Sequence, residues 1–270
     1  VLASTLPLGS ISFLYYADRV NQLPLGVIGV AIGTALLPML SRQWRGGDEA
    51  GALTTQNRAL ELGALLTVPA AVGIAVLAGP IITVLFERGA FSAADGAATS
   101  AAMIAFAAGL PAFVLVKVLQ PGFFAREDTK TPVKVAACAV VLNLVLNLIL
   151  MQFLAHVGLA LATSIASWVN GFALAWLLRR DGVFKLDRRS RKRLPRILVS
   201  ALLMGAALGA ALELADSAGL ALFGQCTLVG SLALLGFILL ALAVYFGTAT
   251  LLGAFRPAEL KTAFRRSPAA

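Results

Sequence analysis

The sequence predicts an all-α protein, a polytopic transmembrane helix bundle with about seven spans. Of its 270 residues, 59% are hydrophobic and only 13% are charged, whereas soluble domains carry about a quarter charged residues. Several apolar runs reach the roughly 20 residues needed to cross about 30 Å of hydrocarbon. Segment 136–153 is apolar nearly all round, whereas a soluble helix alternates polar and apolar faces. These observations indicate a membrane protein.

The apolar runs define the individual spans. The first is too long for a straight crossing, and Pro24 in its middle removes a helical hydrogen-bond donor. It therefore predicts either one bent helix or two shorter segments. The seven predicted spans are at about 10–42, 59–86, 97–125, 131–154, 157–180, 194–214 and 226–253.

The distribution of basic residues predicts the orientation. The formal net charge is +9, which in a soluble protein would suggest nucleic-acid binding. Here the lysines and arginines lie in loops beside apolar spans, and almost all of them fall in alternate loops on one side. The opposite loops hold Arg88 alone. Since basic loops stay in the cytoplasm, we predict a cytoplasmic C-terminus, contact with membrane lipids and no nucleic-acid partner.

A strongly basic stretch at 179–193 separates five spans from two. It predicts a lobe at 1–184, a basic cytoplasmic linker at 185–193, and a helix pair with a tail at 194–270. The stretch is either a topology determinant that contacts anionic headgroups or a docking site for a partner. The chain starts at Val1 without an initiator Met, so we expect a longer protein.

The sequence lacks the motifs of common enzymes. It has no Walker A pattern, no His-Glu metal helix and no nucleophile beside a base, and His156 is its one histidine. We therefore predict a transporter rather than an enzyme, with no cofactor except a possible ion. A transporter needs a few polar groups that face a water-filled cavity.

The best candidate for such a group is Arg19, in the motif YYADR at 15–19 of the first span. A charge at membrane depth costs about 2.5–3.5 kcal/mol on insertion scales, which suggests a function. The guanidinium suits phosphate oxygens, and Asp18 can neutralise it when no substrate is bound. Alternatively, Arg19 reaches the interface beside an aromatic belt formed by Tyr15 and Tyr16.

Lys117 is a second charge inside a predicted span, among the apolar residues 113–119. It either extends toward the inner interface, since Arg126 follows nine residues later, or adds a second positive group to an anion-accepting cavity.

Polar amides suggest a third candidate site. Asn143 and Asn147 stand four residues apart on one helical face of the fourth span. Such amides commonly join helices by hydrogen bonds. Together with Thr163 of the next span they can instead form an oxygen-rich cation site.

Small residues spaced four apart occur at Gly29 and Gly33, and at Gly205 and Gly209. They predict close helix packing. The region 205–211 is alternatively a shallow groove for an acyl chain.

Three segments together resemble the MurJ (MviN) family, the lipid II flippases of the multidrug/oligosaccharidyl-lipid/polysaccharide exporter superfamily. They are YYADR at 15–19, LPLGVIGVAIGTALLP at 23–38 and KVLQPGFFAREDTKTPVK at 117–134. The similarity covers essentially the whole chain, but this corresponds to only about the second half of the family's fourteen-helix architecture. It implies the second lobe of an inverted-V transporter with a cationic central cavity, followed by a C-terminal helix pair.

The resemblance also implies residue roles. Arg19 matches the family's cavity arginine, with Asp18 and Lys117 at neighbouring positions, so these three are the predicted substrate-binding residues. The last two spans match a helix pair whose groove holds an undecaprenyl tail. Asn143, Asn147 and Thr163 match a sodium site found in some members, although the acidic partner of that site would precede Val1.

The resulting hypothesis is a bacterial inner-membrane flippase that moves lipid II from the inner to the outer leaflet by alternating access. The missing N-terminal lobe is then its structural partner, and this half alone is not expected to transport. Alternatives are a related exporter of lipid-linked polysaccharide units or drugs, or a membrane scaffold for cell-wall enzymes.

Overall fold

A computed structural model describes residues 6, 7, 9–220, 222, 223 and 228–255. These residues form helices without any strand, so the predicted all-α class is confirmed. The predicted tail after 255 and the start of the last predicted span lie outside the described residues. The helices are α1 (Ser10–Arg45), α2 (Glu49–Val76), α3 (Ala78–Phe86), α4 (Ala93–Ala107), α5 (Leu110–Phe124), α6 (Lys130–Arg180), α7 (Arg188–Ser217) and α8 (Leu228–Leu251).

The element α6 is a hairpin of two antiparallel arms. It spans 51 residues and turns at Ala155, whose φ of 46° and ψ of −127° are not helical. Residues 20 apart on a straight helix would be about 30 Å apart, yet Asn143 Nδ2 lies 3.4 Å from Thr163 Oγ1. The turn is tight, because a Cβ on Gly158 would lie 2.5 Å from the carbonyl oxygen of Leu150.

The membrane crossings agree with the predicted number. Within the described residues, six stretches are long and apolar enough to span a membrane, and Lys130–Arg180 is one of them. Because that stretch doubles back, the six stretches provide seven crossings. The two arms of α6 correspond to the predicted fourth and fifth spans.

The prolines act differently from the prediction. Helix α1 is one continuous helix with Pro24 and Pro38 inside it, so the alternative of two segments is wrong. The second and third predicted spans are instead each divided, after Val76 and after Ala107. Pro80 and Pro111 explain these ends, because a proline cannot donate to the carbonyl four residues before it, which is Val76 or Ala107 respectively.

Two helices begin earlier than hydropathy predicts because aspartates cap them. Asp48 accepts a hydrogen bond from the Gly51 N–H at 2.9 Å, so α2 begins ten residues before the predicted span. Asp187 accepts one from the Ser190 N–H at 2.6 Å at the start of α7. Such caps satisfy amides that the first helical turn leaves without partners.

The core of the bundle lies between α1, α2, α4, α5 and α6, and the C-terminal pair packs on its side. Helix α7 lies along α2, and α8 lies along α7. A buried cluster that includes Ile197, Met204, Leu208 and Tyr245 joins these three helices. The first arm of α6 presents exposed aliphatic residues such as Leu144 and Leu148, as expected for contact with hydrocarbon.

Candidate functional site

The polar face of α1 carries Arg19, whose side chain is exposed. The guanidinium donates a hydrogen bond from Nη2 to Tyr15 Oη at 2.9 Å. Its central carbon also lies 4.8 Å from the Tyr15 ring centroid, within the range of a cation–π contact. Tyr15 therefore orients the guanidinium and leaves its charge intact.

Asp18 does not neutralise Arg19. Consecutive residues point about 100° apart around a helix, and the Asp18 carboxylate accepts a hydrogen bond from Gln22 one turn later. No carboxylate in the described part of the chain forms an ion pair with Arg19. The charge of Arg19 is thus available to a bound anion.

Lys117 of α5 reaches the same face of α1. A Cβ on Gly29 would lie 2.8 Å from Lys117 Cδ and 3.2 Å from its Cε, so the aliphatic stem of the lysine lies over Gly29. Lys117 is exposed, and its ammonium has no hydrogen bond or ion pair among the described residues. Gly29 was predicted to allow close helix packing. In the structure it makes room for the Lys117 side chain.

Arg19 and the Gly29 position that Lys117 covers lie on one face of α1. Positions 15, 19, 22, 26, 29 and 33 recur every three or four residues, which places them along one side of a helix. Space is open beside Gly26 and Gly33. The face is an open surface, so an enclosed cavity would require a second surface opposite it.

The three residues of the predicted cation site do come together. Asn143 Nδ2 donates to Thr163 Oγ1 at 3.4 Å, and Asn147 Nδ2 donates to Asn143 Oδ1 at 3.0 Å. Asn143, Thr163, Ser167 and Asn170 line a cavity of about 230 Å³. Asn170 was not among the predicted residues.

The donor set fits a sodium ion only in part. Neutral oxygens are acceptable ligands for a hard cation, and Asn147 Oδ1 and Asn170 Oδ1 are buried without partners. The oxygens of Asn143 and Thr163 already accept hydrogen bonds, and no carboxylate lines the cavity. Sodium binding remains a prediction, and the missing negative charge would have to come from another part of the protein.

A buried charge cluster around Glu61 was not predicted. Glu61 is 5% exposed and accepts hydrogen bonds from Ser190 Oγ at 2.8 Å and Arg193 Nη1 at 3.2 Å. Arg189 Nε lies 3.4 Å from its carboxylate, and Arg58 pairs with it one turn away. A carboxylate inside a predicted span is as costly as Arg19, and this signal in the sequence could have revealed Glu61.

The same region fixes the basic linker to α2. Arg58 also pairs with Asp187 at 2.5 Å, and Asn57 Nδ2 donates to the Lys185 carbonyl oxygen at 2.9 Å. Burial raises the pKa of Asp187, but hydrogen bonds from Ser190 and the charge of Arg58 outweigh it, so the pKa lies below its usual value. Some charged residues of the linker therefore form ion pairs with α2 and are not free to contact lipid or a partner.

An apolar groove lies between α2, α7 and α8. Two cavities of about 290 and 260 Å³ share Leu65, Leu66 and Phe246. One end of this groove is bordered by Arg58, Arg189 and Arg193. The alternative groove at 205–211 is not supported at Gly205, because a Cβ there would lie 2.6 Å from Val72 Cγ1, which indicates close helix packing.

The fold and this site define a multi-pass helical membrane protein with a cationic face on one long helix. The chain belongs to the MurJ family, because the family model "Lipid II flippase MurJ" matches residues 1–230. The resemblance inferred from the motifs is thereby confirmed, and it indicates a multi-pass protein of the bacterial inner membrane.

Individual relatives support the same assignment. A probable lipid II flippase MurJ of Rhizobium tropici is 44% identical over 246 residues, which are 91% of this chain and 46% of the relative. One of Rhizobium meliloti is 40% identical over 267 residues, 97% of this chain and 49% of the relative. A solved lipid II flippase MurJ in an inward closed conformation is 27% identical with a TM-score of 0.76, and the match covers 93% of this chain and 48% of the solved one. The chain thus spans about half the length of the relatives it matches.

Proposed function

We propose that this chain is the C-terminal half of a flippase that moves lipid II, the undecaprenyl-pyrophosphate-linked peptidoglycan precursor, from the inner to the outer leaflet by alternating access. The observation that carries the proposal is the pair of cations on the open face of α1. Arg19 and Lys117 come from different helices, and neither has a carboxylate partner among the described residues. The names of the curated relatives support the same activity.

The proposed mechanism is electrostatic, without bond making or breaking. A pyrophosphate must leave water to cross the membrane, and its desolvation is unfavourable unless cations replace the lost hydration. Arg19 supplies a planar donor fork that matches phosphate oxygens, and Tyr15 holds that fork in position. Lys117 supplies a second charge that can follow the phosphate as the lobes rearrange.

The undecaprenyl tail is proposed to lie in the apolar groove between α2, α7 and α8. The walls of the groove are almost wholly hydrocarbon, with Leu65, Met204 and Phe246 among them. An isoprenoid chain gains the same contacts there as in the lipid. We further propose that the basic loops and the C-terminus face the cytoplasm and that the N-terminal half of the protein supplies the opposite wall of the cavity.

The alternatives are less well supported. A drug exporter would favour carboxylates opposite cationic drugs, whereas the unpaired side chains on this face are cations. A scaffold that recruits enzymes through the basic linker would have less charge to present, because Arg189 and Arg193 are turned onto Glu61. An exporter of other lipid-linked diphosphates uses the same chemistry and is distinguished by substrate.

The test is complementation in cells depleted of the full-length protein, with lipid II on the outer leaflet as the readout. We expect Arg19→Ala to abolish exposure of lipid II and Arg19→Lys to retain part of it, because a point charge replaces the fork. Arg42→Ala is the matched control, since Arg42 is an exposed arginine at the end of the same helix. Normal exposure of lipid II with both Arg19 variants would overturn the proposal.

A further inference from the structure

Two groups of basic residues at the end of α6 and the start of α7 have different surroundings. Arg189 and Arg193 contact Glu61. Arg191 lies between them in sequence, and about 200° around the helix from Arg189, so it points the opposite way. Together with Arg179 and Lys185 it lines a separate cavity of about 570 Å³. The fold therefore separates an inward pair, Arg189 and Arg193, from an outward set of Arg179, Lys185 and Arg191.

The outward set is not neutralised. None of Arg179, Lys185 and Arg191 forms a side-chain hydrogen bond or an ion pair with any described residue, and no carboxylate lines the cavity. The nearby aspartates are already engaged, since Asp181 lies 3.7 Å from Arg126 and Asp187 pairs with Arg58. Three cations around one cavity repel each other, and a bound anion relieves that repulsion.

The same cavity has an apolar side that continues along α6. Trp176 lines it and is 60% exposed. Phe172, also 60% exposed, lies one turn away and stacks on Trp168 with ring centroids 5.2 Å apart. These three aromatics at spacing i, i+4 and i+8 form a stripe that leads from the spanning helix to the cations. Tryptophan is enriched at the depth of lipid headgroups, and the cavity lies where α6 ends and α7 begins.

We propose that this cavity binds the headgroup of an anionic glycerophospholipid. Arg179, Lys185 and Arg191 hold the phosphate, and an acyl chain lies along Trp176 and Phe172. A soluble phosphate or an acidic peptide would account for the cations but would make no use of the aromatic stripe. The site is separate from the face of α1, and its lipid is a bound membrane component rather than the transported substrate.

In the test, the full-length protein in detergent is titrated with phosphatidylglycerol or with phosphatidylcholine. Native mass spectrometry measures how much lipid is bound. We expect a preference for phosphatidylglycerol, and we expect the triple variant Arg179→Gln/Lys185→Gln/Arg191→Gln to weaken its apparent affinity about tenfold or more. Trp176→Ser should weaken it as well. Unchanged thermal unfolding would show that the variants, which alter exposed side chains, remain folded.

The matched control is Arg188→Gln/Lys192→Gln/Arg196→Gln. It removes the same charge from exposed positions that do not line the cavity, and it should leave lipid affinity nearly unchanged. If both triple variants lost the same affinity for phosphatidylglycerol, the effect would be due to general surface charge, and the proposed site would be wrong. Binding of glycerol 3-phosphate or oligoglutamate as tight as that of phosphatidylglycerol would also overturn it, in favour of a soluble anion or a protein partner.

Discussion

The hydroxyl of Tyr245 in α8 donates a hydrogen bond to the carbonyl oxygen of Leu65 in α2 at 2.7 Å. In a regular helix that carbonyl would accept from residue 69, but Pro69 has no N–H. Tyr245 is 2% exposed, so its hydroxyl supplies the missing donor from inside the protein. The C-terminal helix pair thus satisfies a polar group that a proline in α2 leaves free, at the wall of the apolar groove.

This relationship predicts a dependence between two substitutions. Tyr245→Phe should lower the free energy of unfolding by about 1 kcal/mol, since hydrogen bonds between membrane helices contribute about 0.6 kcal/mol on average and up to 1.7. In a Pro69→Ala background the loss should be smaller, because the new N–H supplies the missing donor. Unfolding of the full-length protein in detergent measures both values. Tyr16→Phe removes a hydroxyl that has no hydrogen bond in the described structure and serves as the control. An identical loss in the two backgrounds would contradict this account.

The contact between Lys117 and Gly29 predicts that a methyl group on α1 impairs transport. Gly29→Ala should displace the lysine stem, because the new Cβ would lie 2.8 Å from Lys117 Cδ. We expect a reduction in outer-leaflet lipid II of about 3- to 10-fold, or roughly 0.7–1.4 kcal/mol. Gly33→Ala, one turn away beside open space, should change little. If Gly29→Ala reduced transport equally in a Lys117→Ala background, the effect would not act through the lysine.

The charge cluster predicts that Glu61 holds the linker on α2. Glu61→Gln should destabilise the protein by about 2 kcal/mol, less than the 3–5 kcal/mol of a fully buried pair, because Arg58 and Arg189 are partly exposed and can be rehydrated. Arg193→Gln should cost less in that background than alone. The rate of linker cleavage by trypsin and the thermal unfolding of the protein measure these effects. Glu213→Gln, at an exposed position, is the control. Unaltered cleavage of the Glu61 variant would argue against this role.

The cap of α7 predicts a pH dependence. Because the pKa of folded Asp187 lies below its ordinary value of 3.8, its stabilising contribution is complete at neutral pH. The contribution declines once the pH falls below about 4 and is lost as the pH passes through the lower folded pKa. Hydrogen exchange at the Ser190 amide should therefore accelerate in acid beyond its intrinsic trend. Asp187→Asn should remove this dependence, and persistence of the effect in that variant would assign it to another group.

Much of the architecture could be predicted because it depends on neighbouring residues. The length of each apolar run, and the turn between 154 and 157, are local properties, so the number of spans was correct. The two breaks were missed although Pro80 and Pro111 mark them. Of the two alternatives at Pro24, the break is wrong, since α1 continues through it. A proline alone therefore does not determine whether a helix ends.

The candidate sites were predicted in part. Charges inside apolar runs identified Arg19 and Lys117, and helical spacing identified the amide pair that contacts Thr163. The same reasoning would have identified Glu61 as a candidate site residue, because it is a charge inside an apolar run. Its partners Arg189 and Arg193 could not be identified in this way, since they lie about 130 residues away in a run of similar charges. Helical spacing separates these two from Arg191, but no local pattern shows which side of the helix turns toward Glu61.

The sequence by itself determined that this protein is a membrane-embedded helix bundle of a recognisable family, because hydrophobicity and short motifs are carried by adjacent residues. Tertiary structure decided which side chains meet: Lys117 lies over Gly29, and Tyr245 bonds to the carbonyl of Leu65. It also turned Arg189 and Arg193 of the basic linker inward, while Lys185 and Arg191 face a cavity. Those contacts depend on the rotation and depth of each helix against its neighbours, and this packing is set by the whole bundle at once.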